Sequence, residues 1–112
     1  MADFRLIIAG GRDFNDYGLL KQKADAALSN KIKEGANIII ISGAAKGADR
    51  LGERYAIERG FAIERYPADW KRYGKSAGPR RNEEMAKVAD GLLAFWNGQS
   101  RGTRSMIDLA AK

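Results

Sequence analysis

Residues 38–58 read IIIISGAAKGADRLGERYAIE, and this stretch decides the fold. The run Ile38-Ile39-Ile40-Ile41 has no polar position, which suits a strand buried on both faces of a parallel sheet. Ser42-Gly43 ends the run, and Ala44-Ala45-Lys46-Gly47-Ala48 follows as a loop of small residues. A helical pattern starts at Asp49. Glycines between strand and helix allow a tight turn and close approach to a ligand. The helix start offers unpaired N–H groups and the positive end of a dipole, a natural anion site. The stretch reads as strand, phosphate-type cradle and helix.

The same unit recurs on both sides. Further strands are expected at 4–9, 61–66 and 91–96, the third at a sheet edge because it is more polar. Asn15 or Asp16 can cap a first helix running to about Glu34. Gly35 and Gly60 stop the first and second helices. Residues 68–78, ADWKRYGKSAG, interleave aromatic and basic side chains and read as a long irregular segment. Pro79 suits the first turn of a helix reaching about Ala89. Thr103 is the expected cap of a last helix bearing Met106, Ile107, Ala110 and Ala111. Four strand–loop–helix units with right-handed crossovers define an α/β fold. One domain over 1–112 is expected, three layers deep, with a parallel sheet of four or five strands and helices on both faces. Ligands bind such folds outside the carboxyl ends of the strands, where strand order reverses.

Composition narrows the chemistry. The chain has no cysteine and no histidine, so disulfides, thiol nucleophiles, Cys/His zinc sites and imidazole catalysis are excluded. No metal and no cofactor is expected. The N-terminus lacks the features of a signal peptide. No segment approaches the ~20 apolar residues of a membrane span. A cytoplasmic protein with no membrane partner is expected. The net charge is +6, and all of the excess lies in four loops, 10–17, 42–50, 67–82 and 97–104. The share of 67–82 alone is +4, whereas the residues outside these loops carry ten basic and ten acidic side chains. A parallel sheet would gather those loops at one edge, which points to an anionic ligand there.

Two familiar phosphate motifs fail. Gly74-Lys75-Ser76 has the look of a Walker-A tail, but Asp69 stands where the leading glycine is needed. No G-x-G-x-x-G follows any strand. The backbone around Gly43 and Gly47, and around Gly102 and Thr103, would donate N–H groups to phosphate. Arg81 would supply a planar fork for bidentate contact. Asn82 would read a ribose hydroxyl or a base edge. Arg12, oriented by Asp13, lies in the first loop. Asp49 is either a helix cap, the preferred reading, or a partner for ribose hydroxyls. Trp70 and Tyr73 either stack on a base or pin the long loop, with pinning preferred. Trp96 reads as core or interface.

Taken together, GGRDF (10–14), SGAAKGAD (42–49), WKRYGKSAGPRRNEEM (70–85) and AFWNGQSRGT (94–103) form a pattern. It resembles the small, YspA-type branch of the SLOG superfamily, Rossmann-like domains related to the LOG cytokinin phosphoribohydrolases and to DprA/Smf. The resemblance covers nearly the whole chain. LOG enzymes cleave the base from a nucleoside monophosphate. Their glycine-rich loop is similar to Ser42-Gly43-Ala44-Ala45-Lys46-Gly47. Their R-x-x-x-M arginine matches Arg81, with Met85 four residues on. Their G-G-x-G-T phosphate loop resembles Gly98 to Thr103. In those enzymes a glutamate two residues beyond the threonine supports cleavage, whereas here Arg104-Ser105-Met106 follows Thr103. Glu84 and Arg81 are the weak catalytic candidates that remain, and Glu83 and Glu84 fit better as charges at a helix start.

The loop reading and the resemblance together give a ligand site built from Gly10, Gly11, Arg12, Ser42, Gly43, Lys46, Gly47, Asp49, Arg81, Asn82, Gly98, Gly102 and Thr103. The expected function is binding of a nucleotide or nucleotide-derived, phosphate-containing small molecule at the carboxyl edge of the sheet, as a sensor or sequestering module. The missing carboxylate leans against catalysis. The alternatives are LOG-like N-glycosidase activity on nucleoside monophosphates, and DprA-like binding of single-stranded nucleic acid. LOG-type relatives are commonly dimers, and a homodimer using Trp96 or Met106 is a further expectation.

Overall fold

The computed structural model describes residues 2–96 and 101–111. Four strands, β1 (Asp3–Gly10), β2 (Asn37–Ser42), β3 (Ala62–Arg65) and β4 (Gly91–Phe95), form one parallel sheet in the order β3-β2-β1-β4. The helices are α1 (Tyr17–Lys33), α2 (Ala48–Arg59), α3 (Trp70–Tyr73), α4 (Ala77–Val88) and α5 (Arg101–Ala110), with a 3-10 turn at Gly74–Ser76 before α4. The chain steps outward from β1 through β2 to β3, then returns to the far side of β1 for β4. Strand order therefore reverses between β1 and β4, and a crevice opens above that junction. The register sets Gly10 beside Phe95 and Ser42 beside Arg65, so the carboxyl ends share one rim.

Side-chain alternation divides the core. Leu6, Ile8, Ile38 and Ile40 face one way and pack with Leu20, Ala24 and Leu28 of α1 and with Tyr55 and Ala56 of α2. Ile7, Ala9 and Ile41 face the other way, against Met85 of α4 and Met106 of α5. The period of two in the strands thus feeds two apolar layers, each roofed by helices. Met106, expected at an exposed interface, is buried because the second face of the sheet needs apolar cover from α5.

Helix α2 sits unusually close to β1. A Cβ on Gly52 would stand 2.9 Å from the Ile8 Cβ, and one on Gly10 would stand 2.7 Å from the Ala48 Cβ. Small residues at these positions let the helix start overhang the end of β1. Gly47 completes the lock with a φ of 78°. Its missing Cβ would lie 2.2 Å from the Gly11 carbonyl oxygen, which also accepts from the Ala48 amide at 3.3 Å. Only glycine combines that left-handed backbone with that approach.

Local signals behave as their chemistry requires. The Asp16 carboxylate caps α1 by accepting from the Leu19 amide at 3.0 Å, and Gly35 and Gly60 follow their helices with positive φ. Two expectations need correction. Residues 68–78 are not irregular: Asp69 caps α3 through the Arg72 amide at 3.2 Å, and the Ser76 hydroxyl donates to the Tyr73 carbonyl at 2.8 Å. Thr103 lies inside the first turn of α5, not at its cap. Among the described residues, no helix is long and apolar enough to cross a membrane.

Alanine in place of glycine within a helix normally stabilises by ~0.5–1 kcal/mol. At Gly52 the sign should invert. The added methyl meets Ile8, and Gly52→Ala is expected to lower unfolding stability by about 1–3 kcal/mol in a chemical denaturation series.

Candidate functional site

A cleft of about 600 Å³ opens at the carboxyl rim above the β1–β4 junction. The β1 loop contributes Gly10, Gly11, Arg12 and Asp13, the β2 side contributes Ala45 and Asp49, and α4 contributes Arg81, Asn82 and Met85. The first turns of α5 supply Gly102, Thr103 and Ser105, and Trp70 stands at the entrance. Elements from both helical layers thus converge on one hollow.

Arg81 bridges those layers. Its guanidinium donates from NH1 to the Gly43 carbonyl at 2.5 Å and from Nε to Asn82 Oδ1 at 2.9 Å. Asn82 is buried, and its Nδ2 donates on to the Gly102 carbonyl at 3.3 Å. A chain of hydrogen bonds therefore runs from the β2 loop through α4 to α5. A Cβ on Gly43 would stand 2.6 Å from Arg81 NH1 and 2.7 Å from Asp49 Oδ2. Gly43 is glycine because these two charged groups occupy the space its side chain would fill. A guanidinium carries more N–H donors than these contacts use, so they orient Arg81 without exhausting it.

Asp49 is not the cap of α2. Gly47 holds that position, and the Asp49 carboxylate turns back to accept from the Ala45 amide at 3.2 Å. It is only 7% exposed. Burial pushes its pKa up to about 6, and the Glu53 carboxylate adds to the push. The Ala45 amide and the Arg81 and Arg12 guanidiniums pull the other way. Burial likewise lowers the pKa of Arg81, with Arg12 adding repulsion and Asp49 opposing it. Both groups line the cleft.

The β2 loop is less of a cradle than its composition suggests. The Ala44 amide donates to the Ser42 hydroxyl at 3.0 Å, the Ala45 amide goes to Asp49, and the Ala48 amide goes to Gly11. Ser42 in turn donates to Glu53 Oε2 at 2.7 Å, and Glu53 Oε1 accepts from Arg65 Nε at 3.0 Å. The loop accommodates Ala44 at a φ of 60°, a left-handed conformation costing roughly 1–2 kcal/mol for an L-residue. Ser42, Gly43, Lys46 and Gly47 do not line the cleft. Ser42 and Gly43 are buried, Gly47 faces the β1 loop, and Lys46 points to solvent.

Gly10, Gly11, Arg12, Asp49, Arg81, Asn82, Gly102 and Thr103 do line it. Gly98 lies outside the described residues. Glu84 is on the exposed side of α4 and Glu83 is exposed beside it, so neither candidate carboxylate reaches the cleft. Asp13, Pro79, Met85 and Ser105 are lining residues that sequence reasoning did not assign to the site. Three of them had a signal: Asp13 beside Arg12, Met85 four residues after Arg81, and Ser105 two residues after Thr103.

The family model described as YspA, cpYpsA-related SLOG family matches residues 4–73. The chain belongs to that family. The Gene 61 protein of Mycobacterium phage D29 is 35% identical over 114 residues, spanning 96% of this chain and 89% of that protein. The X-ray structure of DNA processing protein A from Streptococcus pneumoniae superimposes with a TM-score of 0.68 at 20% identity. That match covers 98% of this chain and 47% of the other, so the chain spans about half the length of this structural relative. The likeness establishes a shared α/β fold. Arg81, Asn82, Gly102 and Thr103 lie beyond the segment that the family model matches.

The raised Asp49 pKa has a sign. The folded state holds its proton from the ordinary value of 3.8 up to about 6, so stability falls as pH rises through that window and is flat above it. Asp49→Asn keeps an acceptor for the Ala45 amide but cannot titrate. The pH profile of its unfolding free energy should lack that decline, differing from the parent by on the order of 3 kcal/mol across the window.

Proposed function

We propose that the cleft binds a nucleotide or a nucleotide-derived small molecule carrying a phosphate, and that the protein works as a binding module. The observation that carries this reading is the juxtaposition of Arg81 and Asp49 at the floor of one cleft. A bare anion would meet Arg81 and Arg12 but also the carboxylates of Asp13 and Asp49. A ligand offering both an anionic group and hydroxyl donors satisfies the whole set, and a ribose phosphate has that composition. The beginning of α5 adds the positive end of a helix dipole beside Gly102 and Thr103. A volume of about 600 Å³ is within the range of small-molecule sites and far larger than a phosphate needs.

Binding is favoured over cleavage by what lines the cleft. Ser105 stands where the resemblance to LOG enzymes calls for a glutamate, and its hydroxyl cannot supply a negative charge to a sugar cation. N-glycosidase activity is the alternative. Release of free base from nucleoside monophosphates, lost in Arg81→Ala, would replace the binding reading.

Calorimetry against nucleoside monophosphates and ADP-ribose-like compounds tests the proposal. The expected result is saturable binding to at least one of them. Arg81→Ala should weaken it by about tenfold or more, as charge-assisted hydrogen bonds worth ~1.5–3 kcal/mol are lost. Arg81→Lys should recover only part of the affinity, since an ammonium lacks the planar fork. Thermal unfolding of both variants separates ligand loss from loss of the Gly43 contact. No binding by any compound would overturn the reading.

A second reading has a specific observation behind it. Lys71, Arg72, Lys75 and Arg80 are all exposed and lie beside Trp70 on α3, the 3-10 turn and the start of α4. The structural relative is named for DNA processing. Aromatic and basic residues together suit single-stranded nucleic acid. Oligonucleotide affinity falling steeply with added salt would support this reading. A salt-independent mononucleotide affinity would exclude it.

A further inference from the structure

We infer that Trp70 is a stacking wall for a planar ring, so that the ligand class is a nucleotide with its base, not a sugar phosphate alone. This rests on the proposed ligand site and names its second half. Trp70 lines the cleft and yet is 52% exposed, an unusual state for so large an apolar side chain at a concave site. The indole is held in place. Trp70 opens α3, whose turn is capped by Asp69 and closed by the Gly74 amide donating to the Trp70 carbonyl. The ring tip rests on α4, with Trp70 Cη2 3.4 Å from where a Cβ on Gly78 would stand. Pinning and stacking are therefore not rivals: the edge is pinned, and pinning fixes the ring at the entrance.

The neighbouring aromatic shows the contrast. The Tyr73 ring carries the Arg80 guanidinium at 4.4 Å and the Arg72 guanidinium at 5.1 Å. Among the described residues, no ring and no cation stacks on Trp70. The polar groups of the cleft, Arg12, Asp49, Arg81 and Thr103, suit the phosphate and ribose. None of them offers a flat apolar face. Trp70 does, at the rim of a cleft large enough to hold more than a sugar phosphate. A nucleobase has a π-face whatever its hydrogen-bonding edge, so the wall fits the class without selecting among bases.

The test compares ribose 5-phosphate with the four common nucleoside 5′-monophosphates. The chain has two tryptophans, so a Trp96→Phe background makes Trp70 the sole indole reporter. At least one monophosphate is expected to bind about tenfold or more tighter than ribose 5-phosphate and to quench indole fluorescence. Trp70→Phe should keep most of that advantage. Trp70→Ala should abolish it while leaving ribose 5-phosphate affinity unchanged, which also shows that the variant is folded. Equal affinity for base-bearing and base-free compounds overturns the stacking inference and leaves the phosphate site standing. So does an equal loss for both in Trp70→Ala alongside unaltered binding in Trp70→Phe. Absence of binding by every compound overturns the inference together with the reading beneath it.

Discussion

The cleft depends on one guanidinium occupying a space that a backbone leaves empty. Gly43 follows β2 with no side chain, and Arg81 fills the vacancy from the opposite helical layer, anchored on the Gly43 carbonyl. Asp49 enters the same space from α2. Three segments separated in sequence are tied at one point, and the tie lies at the rim where the parallel strands end. Burial makes it stringent. A guanidinium taken out of water must find acceptors, and a carboxylate must find donors or keep its proton. Gly43, Asn82 and Ala45 meet part of that need, while Arg81 and Asp49 still border the cleft.

The positive excess is real but is not where the chemistry concentrates. In the cleft, Arg12 and Arg81 face Asp13 and Asp49, so charge there is close to balanced. Much of the surplus sits outside, on Lys71, Arg72, Lys75 and Arg80. These are exposed side chains, screened by salt and useful for attracting an anion more than for holding it. Charge summed over loops pointed to one rim but did not separate the balanced cleft from the basic surface around it.

That distinction shows how much the sequence could tell. The four isoleucines, the paired glycines and the recurring unit were enough to place the sheet, its covered faces and the rim, because each is dictated by local chemistry and period. Arg81 and Thr103 were legible through motif spacing. The roles of Ser42 and Asp49 were not. Whether a loop amide faces a ligand or a neighbouring side chain depends on how close α2 approaches β1, and Gly47, Gly52 and Ala48 set that distance only in three dimensions. The short helix at Trp70–Tyr73 escaped for a related reason. Asp69 and Ser76 stabilise a single turn, too brief for hydrophobic periodicity to register.

A balanced cleft also bears on selectivity. A uniformly basic pocket would accept any small anion, because attraction to a point charge does not depend on what else the ligand carries. Asp49 changes this. When ionised, it repels a bare anion and accepts hydrogen bonds from hydroxyls, so discrimination comes from a repulsive element beside an attractive one. Burial keeps that carboxylate near neutrality at mildly acidic pH, which makes its charge sensitive to what enters. On the proposed reading, phosphate pairs with Arg81 and hydroxyls pair with Asp49, so a ligand lacking either group forgoes one of the two contacts. On that reading, the pair that ties the β2 loop to α4 is also the pair that selects what fills the cleft.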